Sequence, residues 1–194
     1  MDSAEPINLP DTFRFSEAAR SGTSLPKMKR WLSEEKIERI SRGVYRKTSI
    51  ASDGREDLVA VCKRVPAGVL CLETALYLHE LGTQIPRNVA IAVERDAWVP
   101  KIDAPAVHVV RFGGKAFSEG IESIESHGMN LRVYSKAKTV ADCFKFRNKI
   151  GEDVALEALR SLVAIPGFTV DELLRYAKIC RVDAVIRPYL VAVL

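Results

Sequence analysis

Two glycines, Gly22 and Gly43, cut the stretch from Phe15 to Lys47 into pieces too short to hold a structure alone, so these pieces must pack on one another. Phe15–Arg20 is rich in helix formers, and Gly22 follows as a suitable helix terminator. Ser24 then stands where an N-cap is needed, with Pro26 in the first turn, where its missing N–H costs nothing. The second helix is predicted from about Leu25 to Glu35. Its apolar residues Leu25, Met28, Trp31 and Leu32 fall on one stripe, which is expected to face a core. Ser24, Lys27, Lys29 and Arg30 lie off that stripe and are expected to point outward. Beyond the helix, Ile37 and Ile40 flank charged residues, Gly43 permits a tight turn, and Val44 and Tyr45 favour a strand, so a β-hairpin is predicted. Helix, turn, helix and basic hairpin is the layout of a winged helix-turn-helix.

Charge supports that reading. The whole chain carries a formal charge of only +4 at pH 7, yet the window from Arg20 to Lys47 holds Arg20, Lys27, Lys29, Arg30, Lys36, Arg39, Arg42, Arg46 and Lys47 against Glu34, Glu35 and Glu38. A local basic block in a near-neutral protein points to a polyanionic partner. Charge alone fits a solvated, solubilising face equally well; the architecture favours DNA. The second helix can present its first turns to base edges in a major groove, and the hairpin can hold Arg42 and Arg46 against the phosphate backbone or in the minor groove. Trp31 reads as core, and the three glutamates read as solvated or locally paired.

A length of 194 residues suits a small module followed by a medium one. Ala51–Glu56 is the best linker candidate, which divides the chain into a winged helix-turn-helix over residues 1–50 and a larger domain over residues 57–194. In the larger part, Asp57–Arg64 reads as a helix broken by Pro66-Ala67-Gly68. Val69–Leu81 is apolar, with a helical tail from Glu73 closed by Gly82. Val89–Val93 and Val107–Phe112 read as strands. Ile121–Glu125 and Leu131–Tyr134 read as a hairpin around His127-Gly128. Helices follow at about Lys138–Arg147, Glu152–Val163, Val170–Cys180 and Val182–Leu194, the third opened by a T-x-x-E capping box at Thr169 and Glu172. The expected fold class is α+β: an N-terminal winged helix-turn-helix followed by a mixed α/β C-terminal domain ending in a helical bundle.

Chemical motifs are scarce. No run of about 18 apolar residues exists, so no membrane span is expected. Met1–Pro10 is polar and acidic without a secretory core, which predicts a cytoplasmic protein. Cys62, Cys71, Cys143 and Cys180 have no C-x-x-C spacing and sit in apolar text, so buried reduced thiols are expected rather than disulfides or zinc. His79-Glu80 begins like H-E-x-x-H, but position 83 is Thr83. His108 and His127 read as structural or surface residues. Gly113-Gly114-Lys115 resembles a phosphate loop only superficially, because Ala116 follows where Ser or Thr is needed. No G-x-S-x-G elbow exists. Glu73, Asp142 and Lys145 can be assembled into a metal-nuclease set only without diagnostic spacing. No catalytic residue, metal or cofactor is therefore expected. The stretch from Lys136 to Lys149 places Lys136, Lys138, Lys145, Arg147 and Lys149 beside a stripe of Val140, Ala141 and Phe144. It reads as an amphipathic helix with a basic flank: a second polyanion surface, a docking face for an acidic partner, or a solvated helix.

Three blocks carry a family resemblance. Ser41-Arg42-Gly43-Val44-Tyr45-Arg46 resembles the wing of the AbiEi-type antitoxins of type IV toxin–antitoxin and abortive-infection systems. Pro66 to Leu76 is similar as well. The most specific block runs from Val133 through Thr139-Val140-Ala141-Asp142 to Arg147, then into Gly151 and Ala155–Leu159. The likeness spans roughly residues 13 to 190. It implies a non-enzymatic antitoxin and autorepressor that binds inverted repeats of double-stranded operator DNA, as an oligomer on that DNA, and counteracts a cognate nucleotidyltransferase toxin. It places DNA reading on Ser24, Lys27, Lys29 and Arg30, with Arg39, Arg42 and Arg46 in the wing and Lys47 at its end. It assigns the Lys136–Arg147 helix to the antitoxin domain. One departure stands out: a winged helix normally has a helix ahead of the pair, and Pro6 and Pro10 break up the only chain available here. The competing expectations are a DNA-binding metal-dependent nuclease and a protein-interaction module without nucleic acid.

Overall fold

The computed structural model describes Pro6 and residues 8–50 and 54–194. Half of the proposed linker, residues 51–53, and most of the N-terminal decapeptide lie outside the described residues. The architecture is α+β, with two separate sheets. In order the elements are β1 (Thr12–Arg14), α1 (Phe15–Arg20), α2 (Leu25–Ser33), β2 (Ile37–Ser41), β3 (Val44–Lys47), α3 (Glu56–Arg64), β4 (Val69–Leu70), α4 (Leu72–His79), β5 (Val89–Glu94), β6 (Val107–Phe112), α5 (Lys115–Ser118), β7 (Ile121–Ser126), β8 (Met129–Tyr134), α6 (Lys136–Ile150), α7 (Glu152–Val163), α8 (Val170–Cys180) and α9 (Asp183–Val193). Among the described residues no helix is long and apolar enough to cross a membrane.

The chain forms two compact units, and neither is a simple stretch of sequence. The first takes in residues 1–66, 99–107 and 124–131; the second takes in residues 67–98, 108–123 and 132–194. The expected division at residue 50 is therefore displaced. Helix α3 counts with the first unit and packs on β1 and β2.

In the first unit, three strands lie in the order β1-β3-β2, all antiparallel, with Phe13 opposite Tyr45 and Arg39 opposite Tyr45 on the other side. Strand β1 escapes sequence reading because it is three residues long and follows a proline. The core beneath the sheet holds Leu9, Phe13, Ala18, Met28, Trp31 and Ile37. Ser24 caps α2 as expected, its hydroxyl accepting from the Lys27 N–H at 3.4 Å. The helix ends at Ser33 rather than Glu35, because Glu35 turns left-handed with φ 53°. Leu25 departs from the expected stripe: it is 53% exposed, since the first turn of α2 projects beyond the core that Met28 and Trp31 enter.

Helix α3 is tied to both sides of this unit. Lys63 Nζ lies 3.0 Å from Glu17 Oε1 of α1, and Arg46 of β3 bonds Glu56 at 2.7 Å. Glu17 also accepts the Arg14 N–H at 2.5 Å, closing the first turn of α1. Burial alone would raise the Glu17 pKa, but the Arg14 N–H and the Lys63 ammonium overcome it and hold the carboxyl below the ordinary range. The stabilisation from Glu17 is therefore complete above the unfolded carboxylate pKa and is lost as pH falls through the lower folded pKa. Its side chain is about one-third exposed, so the effect is small, about 1 kcal/mol or less. Glu17→Gln should be less stable than the parent at neutral pH, and the gap should close in acid. Urea unfolding across pH checks this, and a gap independent of pH would refute it.

The second unit is built on a sheet of order β6-β5-β4-β8-β7, of which the outer ends of β7 and β8 count with the first unit. Its central strand β4 has only two residues. Leu70 pairs antiparallel with Ile91 of β5 and parallel with Val133 of β8. Helix α6 packs against α4, α7, α8 and α9. Its first two turns, Ala137 to Phe144, are buried on every side. The stripe read from Val140, Ala141 and Phe144 is thus too narrow, because neighbours cover the helix all round. At α8 the predicted start at Val170 holds, but the Thr169 side chain makes no capping bond. The helical tail predicted to Leu81 stops at His79, where Glu80 turns left-handed. All four cysteines are buried free thiols. Burial pushes Cys62 and Cys180 up to about 12 and holds Cys71 and Cys143 well above the ordinary thiol range, so none is an activated nucleophile at neutral pH.

Candidate nucleic-acid interface

The outward face of the first unit centres on α2. Gly22, at φ +79° in the α1–α2 turn, reverses the chain where an added Cβ would meet nothing but would sit in a left-handed backbone. This sets the N-terminus of α2 at the surface, with Ser24, Leu25, Pro26, Lys29 and Arg30 exposed and Lys27 half-buried. Lys27 Nζ lies over the Trp31 ring, 5.2 Å from its centroid, so its stem packs while its charge stays near the helix surface. Arg30 Nε bonds Glu34 at 2.6 Å, and Lys36 bonds the same glutamate at 3.0 Å. Those two ammonium and guanidinium bonds hold the exposed Glu34 carboxyl below its ordinary range. Lys29 makes no ion pair among the described residues.

The hairpin differs from the expectation. Its turn is only Arg42-Gly43, and the very next residue, Val44, already pairs with Arg14, so little of it projects. Arg42 and Arg39 are exposed there, Arg39 donating to its own strand at the Ser41 carbonyl, 3.3 Å away. The Arg42 carbonyl accepts from Arg64 at 2.8 Å, and the Ser41 hydroxyl donates to the Ala104 carbonyl at 2.7 Å, so the turn is held from behind. Two residues assigned to DNA from the sequence do not face outward. Arg46 is 12% exposed and clamped between Glu38 and Glu56. Lys47 is 14% exposed and lies 3.8 Å from Asp11. Arg46 is committed to a cross-strand pair with Glu38 and a strand–helix pair with Glu56, and Lys47 to Asp11, the residue before β1. Sequence reading missed Leu25 as a surface residue and passed over Arg20, exposed at the end of α1 without an ion pair among the described residues.

The basic residues of α6 scatter. Lys145 and Lys149 are exposed, Lys136 and Arg147 half-buried. Lys138 belongs to no surface: it is wholly buried, 2.6 Å from the equally buried Asp142. Its ammonium lies over the Tyr134 and Phe112 rings, at 4.0 and 4.7 Å. The Cys180 thiol donates to the other Asp142 oxygen at 3.1 Å. Burial pushes the Asp142 carboxyl up while the Lys138 ammonium opposes it. The local signal for this pair was a Lys and an Asp four residues apart, a spacing that pairs them on one helix without showing that they are buried. Of the candidate nuclease set, Asp142 is the residue the structure withdraws from solvent. Asp142 is sealed by Lys138 and Cys180, and among the described residues no group of three or more His, Cys, Asp or Glu could hold a metal ion.

No protein-family model matches the chain, and no curated protein matches it. Among solved structures it is similar to the RV2827C protein from Mycobacterium tuberculosis, with a TM-score of 0.56 at 13% sequence identity, over 95% of this chain and 77% of that one. At that identity the likeness is one of fold.

Proposed function

We propose that this protein binds double-stranded DNA as an operator-specific repressor, through a winged helix-turn-helix formed by the first unit. The observation that carries the reading is the path β1–α1–turn–α2–β2–β3 with strand order β1-β3-β2 and an α2 whose exposed first turns bear Lys27, Lys29 and Arg30. Helix α2 is the reading helix. Lys29 and Arg30 reach base edges, Leu25 offers an apolar contact to a thymine methyl, and Arg20, Arg39 and Arg42 neutralise phosphates. Helix α3, packed on β1 and β2, gives the unit a third helix. The resemblance of residues 133–147 to the AbiEi-type antitoxins supports a second role, opposing a nucleotidyltransferase toxin, with the second unit as the antitoxin domain ending in a helical bundle of α6–α9.

Gel shifts with the DNA upstream of the protein's own gene test the first role. Lys29→Ala or Arg30→Ala should each weaken specific binding by about 1–3 kcal/mol if they read bases. Arg42→Ala should weaken all duplexes alike and reduce the slope of log affinity against log salt by about 1. Arg46→Ala should leave the operator preference intact, because that side chain is turned to Glu38 and Glu56. Equal binding by the parent and a Lys29→Ala/Arg30→Ala double variant would exclude α2 as the reading helix. Suppression of the toxicity of a co-expressed neighbouring nucleotidyltransferase tests the second role.

A further inference from the structure

The second unit contains a cleft of about 790 Å³ that the DNA-binding reading does not use. Six cations line it: Arg95, Arg111, Lys115, Lys145, Arg147 and Arg181. No carboxylate lines it. They come from the end of β5, β6, α5, α6 and the turn between α8 and α9, so folding alone brings them together. Their charge is not cancelled locally. Lys115 meets Glu119 only at 4.0 Å, and the other five form no ion pair among the described residues. Two are held in place by neutral groups instead. One Arg111 nitrogen donates to the Arg95 and Ala97 carbonyls, both at 2.8 Å, and one Arg147 nitrogen donates to the Phe144 carbonyl at 2.9 Å. Carbonyl bonds fix the position of a guanidinium and leave its positive charge and remaining donors available. The Gly113-Gly114-Lys115 stretch, which fits no phosphate-loop pattern, lies here too. Gly113 lacks the side chain whose first carbon would stand 3.3 Å from Arg95 Nη2, so that guanidinium can lie against the backbone.

Six like charges gathered in one concavity repel one another, and a chain of overall charge +4 has no general excess to explain them. An anionic ligand offsets that repulsion. The cleft has the size of small-molecule sites, roughly 300–1,000 Å³, and is far larger than a single phosphate requires. One wall is apolar, formed by Ile179, Val182 and Val185. We propose that this cleft binds a nucleoside polyphosphate, with the phosphates among the arginines and lysines and the base against the apolar wall.

Titration calorimetry on the full chain at low salt tests this, using ATP, GTP, inorganic triphosphate and a short single-stranded oligonucleotide. One nucleotide should bind per chain. Lys145→Glu and Arg181→Glu alter exposed side chains, so the fold should survive, as circular dichroism can check. Each should weaken nucleotide binding by about tenfold or more through loss of a charge-assisted contact. Lys29→Ala, in the other unit, should leave nucleotide affinity unchanged, which separates this site from the DNA-reading helix. Absence of saturable nucleotide binding, or indifference to both cleft variants, would overturn the proposal. So would inorganic triphosphate binding as tightly as the nucleotides, or the oligonucleotide binding much more tightly with the same dependence on Lys145 and Arg181.

Discussion

Lys138→Met is expected to destabilise the second unit by about 3–5 kcal/mol, the usual cost of leaving one member of a buried ion pair alone. Both partners are wholly buried at 2.6 Å, so water cannot replace the lost ammonium. The Asp142 carboxylate would keep only the Cys180 thiol as a hydrogen-bond donor. Removal of the cation also strips the Tyr134 ring of its charged neighbour and leaves the Phe112 ring only Lys145, at 5.4 Å. At roughly 2–4 °C per kcal/mol for a chain of this size, the thermal midpoint should fall by roughly 10 °C. The double variant Lys138→Met/Asp142→Leu should recover most of that loss, because apolar pairs of similar volume often replace buried ion pairs without penalty. Thermal and urea unfolding of the two variants give the comparison. A single variant as stable as the parent would mean that the pair is not holding charge inside the fold.

The second large effect is expected at Gly120. Its φ is +74°, and a Cβ there would lie 2.8 Å from the Lys138 Cβ and 3.0 Å from Tyr176 Cε1. The first contact is with the base of a fixed helical side chain, which cannot swing away. The Gly120 carbonyl also accepts the Ser135 N–H at 2.6 Å, so the segment is tied to the start of α6. Gly120→Ala should therefore cost about 1–2 kcal/mol for the left-handed backbone and about 1–3 kcal/mol for the overlap. Because both sites touch Lys138, the losses from Gly120→Ala and Lys138→Met should not add, and unfolding of the double variant measures the coupling. Wild-type stability for Gly120→Ala would show that α6 can move away from this contact.

These two sites mark where sequence reading stops. Helix α2 was legible because a capping serine, an early proline and the Met28–Trp31 spacing are local signals. The strands β5, β6, β7 and β8 were legible from β-branched runs and the His127-Gly128 turn. Strand β4 was not, because Val69-Leu70 has meaning only between Ile91 and Val133, partners more than twenty residues away. Lys138 was read as a surface charge because its burial depends on α4, α7, α8 and α9 closing around α6. Of the residues assigned to the DNA face, Ser24, Lys29, Arg30, Arg39 and Arg42 have an exposed place and Lys27 a half-buried one. Arg46 and Lys47 lose theirs to Glu38, Glu56 and Asp11, which pairing register alone reveals. The basic cleft was invisible because its cations are distributed along the chain from Arg95 to Arg181.

The first unit is discontinuous in sequence, and this bears on the order in which the protein can be made. Its hairpin turn leans on the Ala104 carbonyl, and Arg64, which holds the Arg42 carbonyl, also donates to the Lys101 carbonyl. A nascent chain emerging from the ribosome cannot complete these bonds when residue 50 or residue 66 appears. The head acquires its full set of contacts only after the segment through residue 131 has been synthesised. The first unit could thus not act in early translation products, but only once most of each molecule exists.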